Sequence, residues 1–181
     1  MPDRPSGREP FLLTPVQARQ LYAYNFRVFD RFVRRVHRLP LRAARRAREI
    51  GHQSLFKTLV HILNVQEVWL AFIAQLPDSE LDKHIADPAR HPDNWRDFNA
   101  YHRRVRAAIE AYLARLTPRE LARPVKAWWM PGDYTVSDAI LQTTIEEAHH
   151  LGEIIGALWQ DDIPSPPMTW IELQRPPARR R

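Results

Sequence analysis

Sixteen prolines and only five glycines occur in the 181 residues, and apart from Pro40 the prolines gather near the two ends and within residues 77–92 and 118–131. Proline removes a helical hydrogen bond and clashes with the turn before it. The proline-free stretches that remain are residues 16–39, 41–76, 93–117 and 132–163, each long enough for about six helical turns or more. Such punctuation favours four long helices over strands.

Hydrophobic spacing fills those stretches in the expected way. Helix one is predicted from Thr14 to about Arg38, opened by a capping threonine and Pro15, with Leu21, Asn25, Val28, Phe29, Phe32 and Val36 on one stripe. Helix two runs from about Gly51 to Leu76 and is apolar nearly all round, through Leu55, Leu59, Ile62, Trp69 and Ile73, as a helix inside a bundle is. Helix three carries Trp95, Phe98, Tyr101, Val105, Ile109, Tyr112 and Leu116, and Thr117 and Pro118 end it. Ser137 is the expected N-cap of helix four, which reaches about Gln160. Before it, PVKAWWMPGDYTV sets aromatic and β-branched residues around Pro-Gly-Asp, the pattern of a short hairpin or an ordered loop with its turn at those three residues. The expected fold class is all-α, a four-helix bundle. Residues 1–13 form an N-terminal extension, 14–163 the bundle, and 164–181 a Pro/Arg-rich tail that packs at most around Trp170. Trp128, Trp129, Tyr134 and Trp170 are expected to cap the core rather than line a pocket mouth.

Composition narrows the chemistry. With 44% apolar and 27% charged residues the chain has the balance of a folded domain. The absence of cysteine excludes a disulfide framework, a thiolate metal site and a cysteine nucleophile, so any metal must bind through His, Asp or Glu. No apolar run serves as a signal peptide or a spanning helix, and the cytoplasm is the expected location. The net charge of +6 is mostly arginine, since lysine supplies three of the 27 basic residues, and eight arginines fall between Arg31 and Arg48. A nucleic-acid footprint of that kind lacks interleaved aromatics and lysines here, so the segment reads as a solvated surface and neither nucleic acid nor membrane is the expected partner.

Potential ligands concentrate in helix four, in the run TTIEEAHHLGE. At roughly 100° per residue, Ile140, Leu151, Ile154, Ile155 and Leu158 define the buried stripe, Glu147 falls inside it, His150 lies on its edge and His149 points further out. Glu146 and His150 stand one turn apart, so the pair can share one cation. His61, among the apolar residues of helix two, is a possible third ligand, because a divalent cation would relieve the cost of burying a carboxylate and an imidazole. A solvated polar strip with a structural core histidine has the same spacing. His37, His52, His84, His91 and His102 fall at helix ends, in loops or on basic surface and count as background. Asn25 occupies a stripe position where an apolar residue would be expected, so its amide needs a partner near the site.

The segments LFKTLVHILNVQEVWLAFI, LYAYNFRVFDRFV and EEAHHLGEIIGALWQDDIPSPPMTW resemble helices two, one and four of the DinB-like superfamily, over about Leu12 to Trp170. The family pattern, a helix-two histidine followed six residues later by an acid, is met by His61 and Glu67. The helix-four pattern His-x-x-His-His-Arg-Gly is met at His149, His150 and Gly152, with Glu146 in place of the first histidine and Leu151 in place of the arginine. The resemblance implies a bundle, often a homodimer, that holds zinc, nickel or a similar divalent ion. Carried over by position, the ligands are His61, Glu146 and His150, with Asn25, Glu147 and His149 around them. It also implies a metal-dependent enzyme acting on a small molecule, such as a thiol transferase with a low-molecular-weight thiol cosubstrate, or a related hydrolase. The alternative is a non-enzymatic bundle with a metal-free polar core that acts through association.

Overall fold

The computed structural model of the chain describes residues 11–77, 79–80, 82, 86–127 and 130–173. Most of the N-terminal extension, His84, Trp128, Trp129 and the arginine end of the tail lie outside the described residues. Four long helices dominate: α1 (Pro15–His37), α2 (Leu55–Ile73), α3 (Trp95–Ala114) and α4 (Val136–Gln160). Each starts at a side-chain cap, Thr14, Ser54, Asn94 and Thr135 respectively. Such caps satisfy amides that have no partner inside the helix. Both α1 and α2 pack against α3 and α4, and their apolar stripes close one core around Phe29, Phe32, Phe56, Phe98, Leu59, Ile62 and Ile109, all at most 1% exposed. Full burial of each such side chain stabilises by about 1.5–3 kcal/mol before entropy is charged.

Several boundaries differ from expectation, and side-chain chemistry explains each. Helix α2 starts at Leu55 rather than near Gly51, because Gln53 is left-handed at φ 63° and the Ser54 hydroxyl accepts the Lys57 amide at 3.2 Å. It ends at Ile73, just before the left-handed Gln75. Helix α3 stops at Ala114, and Thr117 does not merely end it but caps a further turn, Pro118–Leu121. Ser137 does not cap α4. Thr135 and Asp138 form a reciprocal capping box, while Ser137 is fully buried two residues past the cap, donating to the Leu121 carbonyl at 3.0 Å and accepting from the Leu13 amide at 3.1 Å.

The segment before α4 is a hairpin of β1 (Pro124–Ala127) and β2 (Met130–Thr135). Val125 pairs with Tyr134 and Ala127 with Met130. Pro131, Gly132 and Asp133 therefore lie inside β2 rather than in the turn, opposite Lys126 alone, and the extra residues form an irregularity where a proline without an N–H and a glycine at φ 150° are tolerated. In the tail, the Tyr24 hydroxyl donates to the Met168 carbonyl and the Tyr24 and Trp170 rings lie 5.2 Å apart.

The arginine-rich connection is more than solvated surface. Arg46 and Arg48 converge on Asp161, the C-cap of α4, Arg48 at 2.6 Å with only 6% of its side chain exposed. The Arg48 hydrogen bond is the main reason that the Asp161 carboxyl sits below its ordinary range. An acid is unfavourable at a helix C-terminus, and the two guanidinium groups offset it. The clamp also fixes the loop ahead of α2 against the end of α4.

Candidate metal centre

Where α2 faces α4, His61 and His150 meet with their Nε2 atoms 3.0 Å apart and their rings nearly perpendicular. The third imidazole comes from the loop. The left-handed Gln53 and the Ser54 cap turn the chain so that His52 stacks on His61, with ring centroids 3.5 Å apart and planes 21° from parallel. Ligand nitrogens of His52, His61 and His150 all lie within 4.8 Å of one another, and all three side chains are half-buried. Burial above all, then the neighbouring imidazoles, pushes the pKa of His61 down to about 4, and burial followed by His150 lowers that of His52. Both are neutral near pH 7, the form in which imidazole ligates a metal.

Glu153 orders the cluster. Its Oε2 lies 3.0 Å from His150 Nδ1 and its Oε1 accepts the Gly51 amide at 3.3 Å. Burial pushes this carboxyl up, but the His150 bond and the Gly51 amide outweigh it and hold Glu153 ionised. The contact between Nδ1 and the Glu153 carboxylate turns Nε2 of His150 toward His61, the carboxylate–histidine arrangement that orients metal ligands. Nitrogens bound to one zinc at 2.0–2.1 Å in a tetrahedron stand about 3.3–3.4 Å apart, so the His61–His150 pair, at 3.0 Å, lies within a few tenths of an ångström of that spacing, and His52, within 4.8 Å of both, supplies the third nitrogen of a set that suits a divalent cation. His149, His150 and Glu153 also bring ligand atoms within 4.8 Å, but His149 is exposed.

The residues expected from sequence separate into three groups. His61 and His150 come together. Glu146 does not join them: its Oε1 accepts from Gln142 at 3.0 Å and its Oε2 from the Trp69 indole at 3.3 Å, and no group of potential ligands among the described residues contains it. The cause lies in α2, where Trp69 stands two turns beyond His61 and offers the carboxylate a donor. Glu147 is 2% exposed and enters the bundle interior, where its Oε2 accepts from Gln66 at 2.6 Å. Burial raises its pKa to about 8 against the opposing pull of Gln66 and of Asn25, the amide on the facing stripe of α1. Asn25 Nδ2 and Glu147 Oε1 nevertheless each lack a hydrogen bond of normal geometry.

Sequence reasoning missed His52. Its position before the helix cap gives it no periodicity to share with His61, and the one available signal is its place between a glycine and a serine cap, which marks a tight, ordered approach. Glu67 faces elsewhere, paired with the buried Arg90 at 2.9 Å and 2.8 Å from the Tyr101 hydroxyl.

Beside the histidines a cleft of about 350 Å³ opens, lined by Arg45, His52, Lys57, His61, His91 and Asp93 over an apolar floor of Phe56 and Val60. No described helix is long and apolar enough to cross a membrane.

The family model of the DinB superfamily matches residues 27–154. A crystal structure of a DinB-like protein from Bacillus cereus is similar in fold, with TM-score 0.65 at 16% identity, covering 87% of this chain and 99% of that one. No curated protein matches the chain. With most of its length matched and the same helical architecture, the chain belongs to the DinB superfamily.

Proposed function

We propose that the protein is a divalent-metal-dependent enzyme acting on a small molecule, with His52, His61 and His150 as the metal ligands. The observation that carries this reading is the convergence of three half-buried imidazoles, one of them oriented by Glu153 and the other two, His52 and His61, on the lining of an open cleft. A divalent ion held there would supply a Lewis acid that lowers the pKa of a bound water or thiol. Burial keeps His61 and His52 unprotonated, and Glu153 fixes the ring of His150. The chain has no cysteine, so thiol chemistry at this site would use a cosubstrate thiol; thiol transfer or a related hydrolysis is the reaction class we propose, by likeness to the family.

One observation favours a second reading. A 3.0 Å separation between His61 Nε2 and His150 Nε2 is also a direct hydrogen bond, as a metal-free polar core would have. Elemental analysis of protein purified without an affinity tag decides between them. The metal reading expects about one zinc or nickel per chain, lost in His150→Ala while the helical circular dichroism persists. Absence of bound metal, together with no uptake of added zinc or nickel, would leave the hydrogen-bonded core.

A further inference from the structure

The cleft that adjoins the histidines carries cations at its other end. Arg45 Nη1 donates to the Asp93 carbonyl at 2.7 Å, and Lys57 Nζ contacts Gln53 Oε1 at 3.2 Å. Both partners are neutral. Some arginines elsewhere find carboxylates, as Arg46 and Arg48 do on Asp161, Arg106 on Asp30 and Arg123 on Glu120, whereas Arg19 and Arg31, like Arg45, bond backbone carbonyls, but only Arg45 does so on the lining of this cleft. The one carboxylate on the cleft lining, Asp93, is engaged through Oδ1 with the Asn94 amide at 2.9 Å.

These two cations occupy a concave site floored by Phe56 at 1% and Val60 at 8% exposure. Low-dielectric walls concentrate the field of like charges and raise the local concentration of an opposite one. The bond to the Asp93 carbonyl fixes one edge of the Arg45 guanidinium and leaves its other N–H groups for a fork-like contact with an acid group. A volume of about 350 Å³ lies at the small end of ligand pockets, a size suited to a small molecule.

We infer that the cleft binds a small organic anion, its acid group held by Arg45 and Lys57 and its other end directed at His52 and His61. The assignment of the reacting end rests on the metal-dependent reading above, whereas the anion site itself does not. Carboxylate and phosphate share the required chemistry.

The test is a titration of the full-length chain, followed by two-dimensional NMR, with succinate, methyl phosphate and the uncharged succinamide, before and after addition of zinc. Saturable shifts are expected with succinate or methyl phosphate, the tighter of the two assigning the acid group, and none with succinamide. In R45Q/K57Q the affinity is expected to fall by about tenfold or more, while R42Q, on the same connection but away from the cleft, binds as the parent does. Both residues are exposed, so the variants remain folded, which circular dichroism checks. Equal response to succinate and succinamide, no saturable response to either anion, or unchanged affinity in R45Q/K57Q overturns the assignment. If zinc fails to bind but the anion still does so through Arg45 and Lys57, the metal reading falls and the anion site stands. If zinc binds and the anion does not, the anion site falls alone.

Discussion

A Cβ on Gly51 would meet Glu153 Oε1 at 2.7 Å, the same oxygen that accepts the Gly51 amide at 3.3 Å. The loop before α2 thus approaches α4 as closely as a residue without a side chain permits, and His52, next along the chain, is delivered onto His61.

Gly51→Ala is therefore expected to push Glu153 off the loop and loosen the orientation of His150. Partners of metal-bound histidines are worth roughly 10–100-fold in affinity. Zinc affinity measured against a chromophoric chelator should fall by about tenfold or more. Gly51 is exposed, so the thermal midpoint of the metal-free protein should stay close to that of the parent. An unchanged zinc affinity would show that the Gly51 to Glu153 contact plays no part in ligand orientation.

The buried carboxyl of Glu147 predicts a pH dependence of stability. Its folded pKa of about 8 lies above the ordinary carboxylate value, so the folded state holds a proton that the unfolded state releases. The resulting stabilisation is complete below the unfolded pKa and is lost as pH rises through about 8. Between pH 5 and 8 the parent should lose about 1.4 kcal/mol per pH unit from this group, and Glu147→Gln should flatten that slope. Urea unfolding at pH 5.5, 6.5 and 7.5 reads it out, and parallel slopes for parent and variant would exclude a protonated Glu147.

The helices were legible because their signals are local: Thr14 ahead of Pro15 marks the start of α1, and the stripe of α1 through Phe29 and Phe32 is the one that is buried. His61 and His150 were legible for the same reason, each lying beside an apolar stripe. What the sequence does not encode locally is which neighbour captures a side chain. Glu146 has ligand spacing to His150, yet the Trp69 indole, on another helix, takes its carboxylate. Conversely His52 reaches the site through backbone conformation at Gln53, which no hydrophobic period reports.

That exchange is testable directly. His52→Ala should lower zinc affinity by removing one of three nitrogens, whereas Glu146→Gln should leave it within about twofold, since Gln keeps an acceptor for Trp69 and the ligand set is unaffected. Isothermal titration of the metal-free proteins compares the two. A large loss in Glu146→Gln with none in His52→Ala would restore the carboxylate as the third ligand.

The wall of the cleft opposite the histidines hangs on Arg90. This side chain is 1% exposed, pairs with Glu67 Oε2 at 2.9 Å and donates through Nη2 to the Asn64 carbonyl of α2 at 3.2 Å. It therefore ties the segment His91 to Asp93 to the same helix that carries His61. Removing one member of a buried ion pair costs about 3–5 kcal/mol, largely because the other charge stays buried, whereas replacing both by apolar groups is often neutral. Tyr101 and Arg104 still reach Glu67, so Arg90→Met is expected at the lower end, about 3 kcal/mol, or a fall in Tm of roughly 6–12 °C for a domain of this size. Adding Glu67→Leu to Arg90→Met should recover part of that loss in differential scanning calorimetry. If the double variant is less stable than the single one by the full cost of a second deletion, the two side chains act independently and Arg90 holds the wall through the Asn64 carbonyl alone.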